Sequence, residues 1–505
     1  MAEVLWNLTN YSENWEHIKE TVLGRYIFGS FILVFGTALV ATIIGVSCAW
    51  LVACCEFPGR RFFEWALILP LAIPTYIAAY AYFDLIELLN PFLIWIRLVI
   101  GPRAMSNLND VLVYTVTIIV LAFVLYPYVY LLARASFSRQ SSQLVQAAQT
   151  LGHYPISIFR RIALPMARPA IFAGTSLVVM ETLNDYGAVK HFGIPTFTTG
   201  IFRSWLGMGD MPGALRLAAF LMIFILLLLV FEKVLRGNAK FHENISQARP
   251  FQRYILERMK IQLAIVCCLL PIVVGFIIPI TRLGFWASFW VGKNFEISFM
   301  KVISNSLGLA IASSFLAVLI SILLVFSARY YQSFSVHSTN RLAILGYSVP
   351  GAIIAMGMLL FAGQINNLTG LILTGSISVL IFAYVIRFLA VAWQPIDSVM
   401  EKTCDQLNSA SRSLGSSALR SLIKINLPLL KKALLVAGLL VFIDTIKELP
   451  LTLILRPFNF ETLATLTFDL TNQAQIPKSS VPALCIVFVT IAPILWLNRK
   501  MEYRS

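Results

Sequence analysis

Apolar runs long enough to cross a bilayer recur along the whole chain, and they leave few folds open to it. A hydrocarbon layer about 30 Å thick takes about 17–25 helical residues to cross. Runs of this kind occupy 27–55, 65–83, 111–132, 169–183, 215–231, 261–280, 302–326, 342–362, 370–393, 433–446 and 483–497. Lipid offers no hydrogen-bond partner to an exposed backbone, so each run must pair its own N–H and C=O groups as a helix. Of the 505 residues, 58% are hydrophobic and 12% charged, whereas a soluble domain carries about 25% charged residues. The expected class is all-α: a polytopic helical membrane protein with about eleven transmembrane helices, of which those beginning at Pro169 and Ala433 continue past Glu181 and Asp444.

Charge sets the expected orientation. Lys and Arg collect in the cytoplasmic connections of a membrane protein. Here they concentrate by more than two to one on one set of alternate connections: Arg60 and Arg61, Arg134 to Arg168, Lys233 to Lys260, Arg329 and Arg341, Lys402 to Lys432, and Arg499 to Arg504. The reading is an outward amino terminus and an inward carboxyl terminus. The formal net charge of +15 then reports membrane topology, and without basic patches interleaved with exposed aromatics it does not indicate nucleic acid. Residues 1–26 lack the basic region and short apolar core of a cleavable leader and read as an exposed lead into the first span. Six of the seven cysteines lie in apolar runs and Cys404 lies in a cytoplasmic connection, which suits packing rather than a disulfide framework.

The chain repeats itself. A shift of 263 positions carries Gly152 onto Gly415, Ile162 onto Ile425, Leu164 and Pro165 onto Leu427 and Pro428, Glu181 onto Asp444, Asp185 onto Glu448, Phe197 onto Phe460 and Thr199 onto Thr462. LPLAIPTYI (69–77) resembles GYSVPGAII (346–354) at a slightly different offset. Six spans separate the two glycine-centred stretches, so both emerge on one face and the repeats are parallel. In each stretch the glycine interrupts a helix; Pro155 suits the first turn of the next one, and Ser416 or Ser417 can cap its counterpart. Each stretch thus forms a helix-turn-helix knob, with the second helix ending near Leu164 in the first copy. In the second copy Leu419, Leu422, Ile423 and Asn426 share one face for docking, with Arg420 and Lys424 pointing elsewhere.

QAAQTLGHYPISIFRRIALP (146–165) and SASRSLGSSALRSLIKINLP (409–428) both contain glycine, nine residues, then I-x-L-P. This resembles the EAA coupling loop of permease subunits in binding-protein-dependent ABC importers, with Gln146 and Ser409 where that family has glutamate. The residues the resemblance marks for ATPase coupling are Gln146, Ala147, Ala148, Gly152, Ile162, Leu164 and Pro165, and Ser409, Ala410, Gly415, Ile425, Leu427 and Pro428. FPGRRFFEWALILPLAIP (57–74), ETLNDYGAVKHFGIPTFTTGIFRSW (181–205) and DTIKELPLTLILRPFNFETLA (444–464) are similar to the fused two-half ferric-iron uptake permeases of bacteria. The resemblance implies a type I ABC importer permease fold in the bacterial inner membrane. It divides the chain into a periplasmic lead (1–26), a first half (27–231) with coupling loop 140–165, a cytoplasmic linker (232–260) and a second half (261–505) with coupling loop 401–428. It implies as partners two copies of a cytoplasmic ABC ATPase, a periplasmic iron-binding protein and the bilayer. ATP is used by the partner, and no cofactor is expected on this chain, which has no G-x-x-x-x-G-K-[ST] phosphate loop and so is not itself an enzyme.

Glu181, Asp185, Asp444 and Glu448 are candidate translocation residues. Spaced i, i+4 within each copy, they share a face if the segment is helical. Carboxylates at membrane depth cost about 2.5–3.5 kcal/mol and therefore face protein or a watery cavity. A hard trivalent cation prefers such oxygens. The structural alternative is that Lys447 neutralises Asp444 and that Asp185 and Glu448 mark the lipid boundary. Tyr186 and His191 read as interface anchors or metal ligands, and Arg387 as a snorkelling side chain; no metal site is assigned. The functional expectation is ATP-driven import of ferric iron by alternating access. The alternatives are the same class with another cargo (thiamine, a polyamine or an oxyanion) and a gradient-driven secondary transporter.

Overall fold

The computed structural model describes residues 12, 14–87, 90–139, 154–236, 253–290, 297–330, 336, 340, 343 and 345–502. Contacts divide the chain into two units, one over Ser12–Ser288 and one from Phe289 onward. The first contains α1 (Leu23–Cys54), α2 (Thr75–Glu87), α3 (Pro102–Arg139), α4 (Leu164–Asn184), α5 (Met211–Arg236) and α6 (Arg258–Ile272). The second contains α7 (Ile297–Tyr330), α8 (Gly351–Thr369), α9 (Ile377–Ser413), α10 (Leu427–Lys447) and α11 (Ile476–Glu502). Among the described residues, the strand content is one parallel pairing of Cys55–Glu56 with Tyr254–Ile255. The molecule is an all-α, multi-pass membrane protein.

Nine helical stretches among the described residues are long and apolar enough to cross a membrane, and a tenth counts if the bent pair Arg60–Ala72 and Thr75–Glu87 is one span. α10 supplies the remaining expected span. Its 21 residues reach about 31 Å, although it carries Lys431, Lys432, Asp444 and Lys447. The span expected over 65–83 is bent: the chain turns by 89° at Ile73 and Pro74. A residue before proline is pushed out of the α region, and Ile73 is extended at φ −95°, ψ 119°. Pro350, before α8, is likewise extended at ψ 142°.

Small residues let the helices of each unit approach closely, as membrane packing favours. In the first unit Val129 of α3 is pressed from two sides. A Cβ at Gly45 of α1 would stand 2.7 Å from the Val129 Cβ, and one at Gly174 of α4 would stand 2.7 Å from its Cα. The helical stretch Arg258–Ser288, which opens with α6 after the expected linker, packs inside this same unit: the Tyr82 hydroxyl donates to the Val274 carbonyl at 2.5 Å, and Asp84 accepts from the Arg282 guanidinium and from Trp286 Nε1 at 3.1 Å. In the second unit Ser314 of α7 donates to the Gly438 carbonyl of α10 at 2.7 Å.

The described part of the amino-terminal lead, from Ser12, packs against the first unit where an exposed lead is expected, and residues 1–11 lie outside the described residues. Helix begins at Trp15, whose ring stacks on Phe220 at 5.7 Å and lies under the Arg216 guanidinium at 5.1 Å. Buried Ser12 donates to Asp210 Oδ2 at 2.7 Å. A tryptophan face is a strong seat for a guanidinium, a pairing with no periodic signature in sequence.

Gly45→Val or Gly174→Val is expected to destabilise the protein by about 1–3 kcal/mol through overpacking. Gly363→Ala, where a Cβ meets nothing within 4 Å, should leave stability unchanged or slightly raised. Thermal unfolding of the purified variants in detergent checks both.

Candidate functional site

Two structural features recur among the described residues of both units: the short helix that leads into α4 or α10, and the cap that holds a short helix after it. Gln146, Ala147, Ala148 and Gly152 lie outside the described residues. The second knob is complete in backbone. α9, which contains Ser409 and Ala410, ends at Ser413, and Gly415 adopts φ +75°. The Ser416 N–H then bonds back to the Ser411 carbonyl at 3.1 Å, closing the helix end as a glycine-terminated cap. Ser417 caps the next helix, its hydroxyl accepting from the Arg420 N–H at 3.4 Å.

The second helix of each knob does not stop at Leu-Pro, as expected from sequence, but continues into the span. Pro155–Ile158 passes through a π turn at Phe159–Ala163 into α4; Ala418–Ser421 passes through a π turn at Leu422–Asn426 into α10. Proline lacks an N–H and crowds the preceding turn. A wider turn just before Pro165 and Pro428 accommodates both defects. All of these boundaries repeat at the 263-residue shift. The expected docking stripe is corrected: Leu422 and Asn426 are buried, while Leu419 and Ile423 are exposed beside exposed Arg420 and Lys424. Asn426 turns inward because its amide donates to the Ser421 carbonyl at 3.1 Å. Ile425 and Leu427 are half-buried and Pro428 is exposed.

In the first knob Ile162, Leu164 and Pro165 are half-buried, and Ile156, the counterpart of Leu419, is exposed. Beneath it Ile158 packs on Ile162 and Tyr254, and Trp50 contacts Phe159 and Tyr254. The described end of the linker therefore supports this knob. Around it Arg60 pairs with Glu56 and Glu64, Arg134 with Glu64, and Arg253 with Glu56.

α4 and α10 end at Asn184 and Lys447, so Asp185 and Glu448 leave the helix in extended conformation rather than sharing a face with Glu181 and Asp444. Each becomes a cap. Asp185 Oδ1 accepts from the Ala188 and Val189 N–H groups at 2.9 and 3.3 Å, starting the short helix Gly187–His191, and Oδ2 accepts from the Thr75 hydroxyl at the start of α2. Glu448 Oε1 accepts from the Leu451 N–H at 3.1 Å, starting Pro450–Leu455, while Oε2 lies 3.3 Å from Arg387 Nε in an ion pair whose side chains are 4% and 5% exposed. Arg387 is thus an interior partner, not a snorkelling one. A Cβ at Gly351, first residue of α8, would come within 2.6 Å of both Glu448 and Arg387. At the 263-residue shift Arg387 corresponds to Val124, and Asp185 is held by neutral donors.

Glu181 and Asp444 are half-buried, and Lys447 stands 3.5 Å from Asp444. Tyr186 is buried and stacks on Phe202, and His191 meets Tyr80 and Phe83 edge-on. Beyond the caps, a second repeat appears. Thr196 and Thr199 form a capping box, as do Thr462 and Thr465. Ser30 accepts from the Phe197 N–H and Ser306 from the Leu463 N–H. These equivalences correct the sequence pairing of Phe197 with Phe460 and Thr199 with Thr462: the connection before the second box is three residues longer, so the register moves.

Residues 41–236 match the model of the binding-protein-dependent transport system inner membrane component family. The chain is 26% identical over 483 residues to the Fe(3+)-transport system permease protein FbpB 2 of Haemophilus influenzae, covering 94% of this chain and 90% of that protein. It is 26% identical over 184 residues to a probable sulfate transport system permease protein of Marchantia polymorpha (35% of this chain, 60% of that one). A probable molybdenum ABC transporter permease of Haloferax volcanii is 29% identical over 155 residues (30% and 52%).

Arg387→Met strands a buried carboxylate and should destabilise the second unit by about 3–5 kcal/mol. Adding Glu448→Gln should recover most of that loss. The ordering of unfolding temperatures, double variant above single, is the check.

Proposed function

We propose, from the premise that this chain is a binding-protein-dependent ABC importer permease, that it forms the membrane pathway of an importer of ferric iron. The observation that carries the cargo is likeness along 94% of the chain to an Fe(3+) permease, whereas the sulfate and molybdenum relatives match 35% and 30% of it. In this reading the amino terminus is periplasmic and the carboxyl terminus cytoplasmic. A periplasmic iron-binding protein delivers cargo, and two copies of a cytoplasmic ABC ATPase seat on the knobs.

The helical continuity from each knob through its π turn into α4 or α10 supports a lever. ATP-driven movement of a knob is transmitted along the span to the carboxylates at its far end. Glu181 and Asp444, half-buried at matching positions, are the oxygen donors that attract the cation. Asp185 and Glu448, committed to capping, hold the short helices beside them. Binding strong enough to admit the ion and weak enough to release it is what a pathway requires.

Vesicles rebuilt from the chain, its ATPase and its binding protein should take up labelled Fe³⁺ in an ATP-dependent way. Uptake of sulfate or molybdate instead would reassign the cargo, and uptake by the chain alone would remove the ATPase from the mechanism. Gly152→Val and Gly415→Val are expected to leave membrane insertion intact while ATP hydrolysis no longer drives uptake. Glu181→Gln with Asp444→Asn should lower iron uptake while the ATPase still responds to the binding protein.

A further inference from the structure

In each unit, the connection between α2 or α8 and the helix that leads to the knob exposes apolar side chains. In the first unit this is the helix Asn90–Ile100. Its 11 residues reach about 16 Å, half of a bilayer crossing, and Gly101 at φ +86° turns the chain out of it into α3. Phe92, Ile94, Trp95, Leu98 and Val99 are all more than half exposed, and the Phe92 and Trp95 rings stack on one another at 6.0 Å.

In the second unit the connection is a short loop between α8 and α9, held rigid by one side chain. Asn366 Nδ2 donates to Thr374 Oγ1 at 3.0 Å, its Oδ1 accepts from the Leu373 N–H at 2.6 Å, and Gly370 and Gly375 at φ +71° and +76° turn the chain on either side. The last turn of α8 presents Leu368, exposed by 85%, and the loop presents Leu371 and Ile372, exposed by 63% and 84%. From Leu342 to Ile386 the chain carries no charged side chain.

We propose that both connections are lipid anchors, each inserting its apolar side chains into the interfacial layer of the leaflet opposite the knobs. One span, α3 or α9, separates each connection from its knob, so both emerge on the face away from the knobs. They differ in length, in secondary structure and in sequence, and share exposure, apolarity and topological place. A surface for a soluble partner carries a polar rim and charges that steer encounter; the second connection has no charge at all. Tryptophan rings favour the level of the headgroups, and a helix too short to cross can lie in that plane with its apolar side chains, phenylalanine among them, about 5–10 Å deep. Anchoring there fixes the outer ends of α2 and α8 against lipid while the knobs move. This inference is independent of cargo.

The test is thiol labelling of Leu98→Cys and Ile372→Cys in the assembled complex in nanodiscs, with Gln473→Cys, in an exposed polar turn, as the water-facing reference and the native chain as background. A charged, water-soluble maleimide should label the two anchor positions about tenfold or more slower than Gln473→Cys, as insertion to interfacial depth requires, while a membrane-soluble maleimide labels all three. Three results would overturn the proposal. The charged reagent reaching the anchors as fast as Gln473→Cys places them in water. Failure of the membrane-soluble reagent there places them under protein. Protection that appears only when a soluble binding protein is added assigns the surface to that partner.

Discussion

A backbone broken at membrane depth must find hydrogen-bond partners, and the architecture of both units follows from where this chain finds them. Lipid supplies none, so long runs pair internally as helices and every interruption needs a local substitute. Asp185 and Glu448 are such substitutes: each takes the end of a long span and gives the next short helix its first acceptor. The Thr196–Thr199 and Thr462–Thr465 boxes do the same one element later. Carboxylates that look in sequence like pathway lining are in part the means by which the chain turns from a long span into the short helix after it.

The knobs obey the same accounting at the water-facing end. Gly415 and Ser417 close one helix and open another, and the π turns before Pro165 and Pro428 carry helical continuity across a residue that cannot donate. An unbroken helical connection from knob to span follows from this local chemistry.

Much of this was legible in the sequence. Apolar length gave the spans, and the glycine with its downstream Leu-Pro gave the second knob and its serine cap. The shift of 263 gave boundaries that repeat residue for residue from Pro155 and Ala418 to Gly187 and Pro450. What could not be read depends on partners distant in the chain or on a silent change of register. Nothing near Arg387 announces Glu448, and nothing near Trp15 announces Phe220 and Arg216. The helical stripe through Leu419, Leu422, Ile423 and Asn426 gave the wrong face because a π turn changes the angular step along it. Phe460 and Thr462 paired with Phe197 and Thr199 by letter, while the capping geometry places the equivalence three residues on.

The Arg387–Glu448 pair marks how far the two copies have diverged. In a dimer of identical subunits any substitution arrives twice, so a guanidinium introduced into one interior would appear in the other. Joining the copies in a single gene product removes that restriction. One copy holds an internal cation here, with Gly351 clearing the space, while the other has Val124, Thr75 and a carboxylate served by neutral donors. At this position the two copies consequently differ by one unit of formal charge, an electrical asymmetry that a pair of identical subunits could not carry.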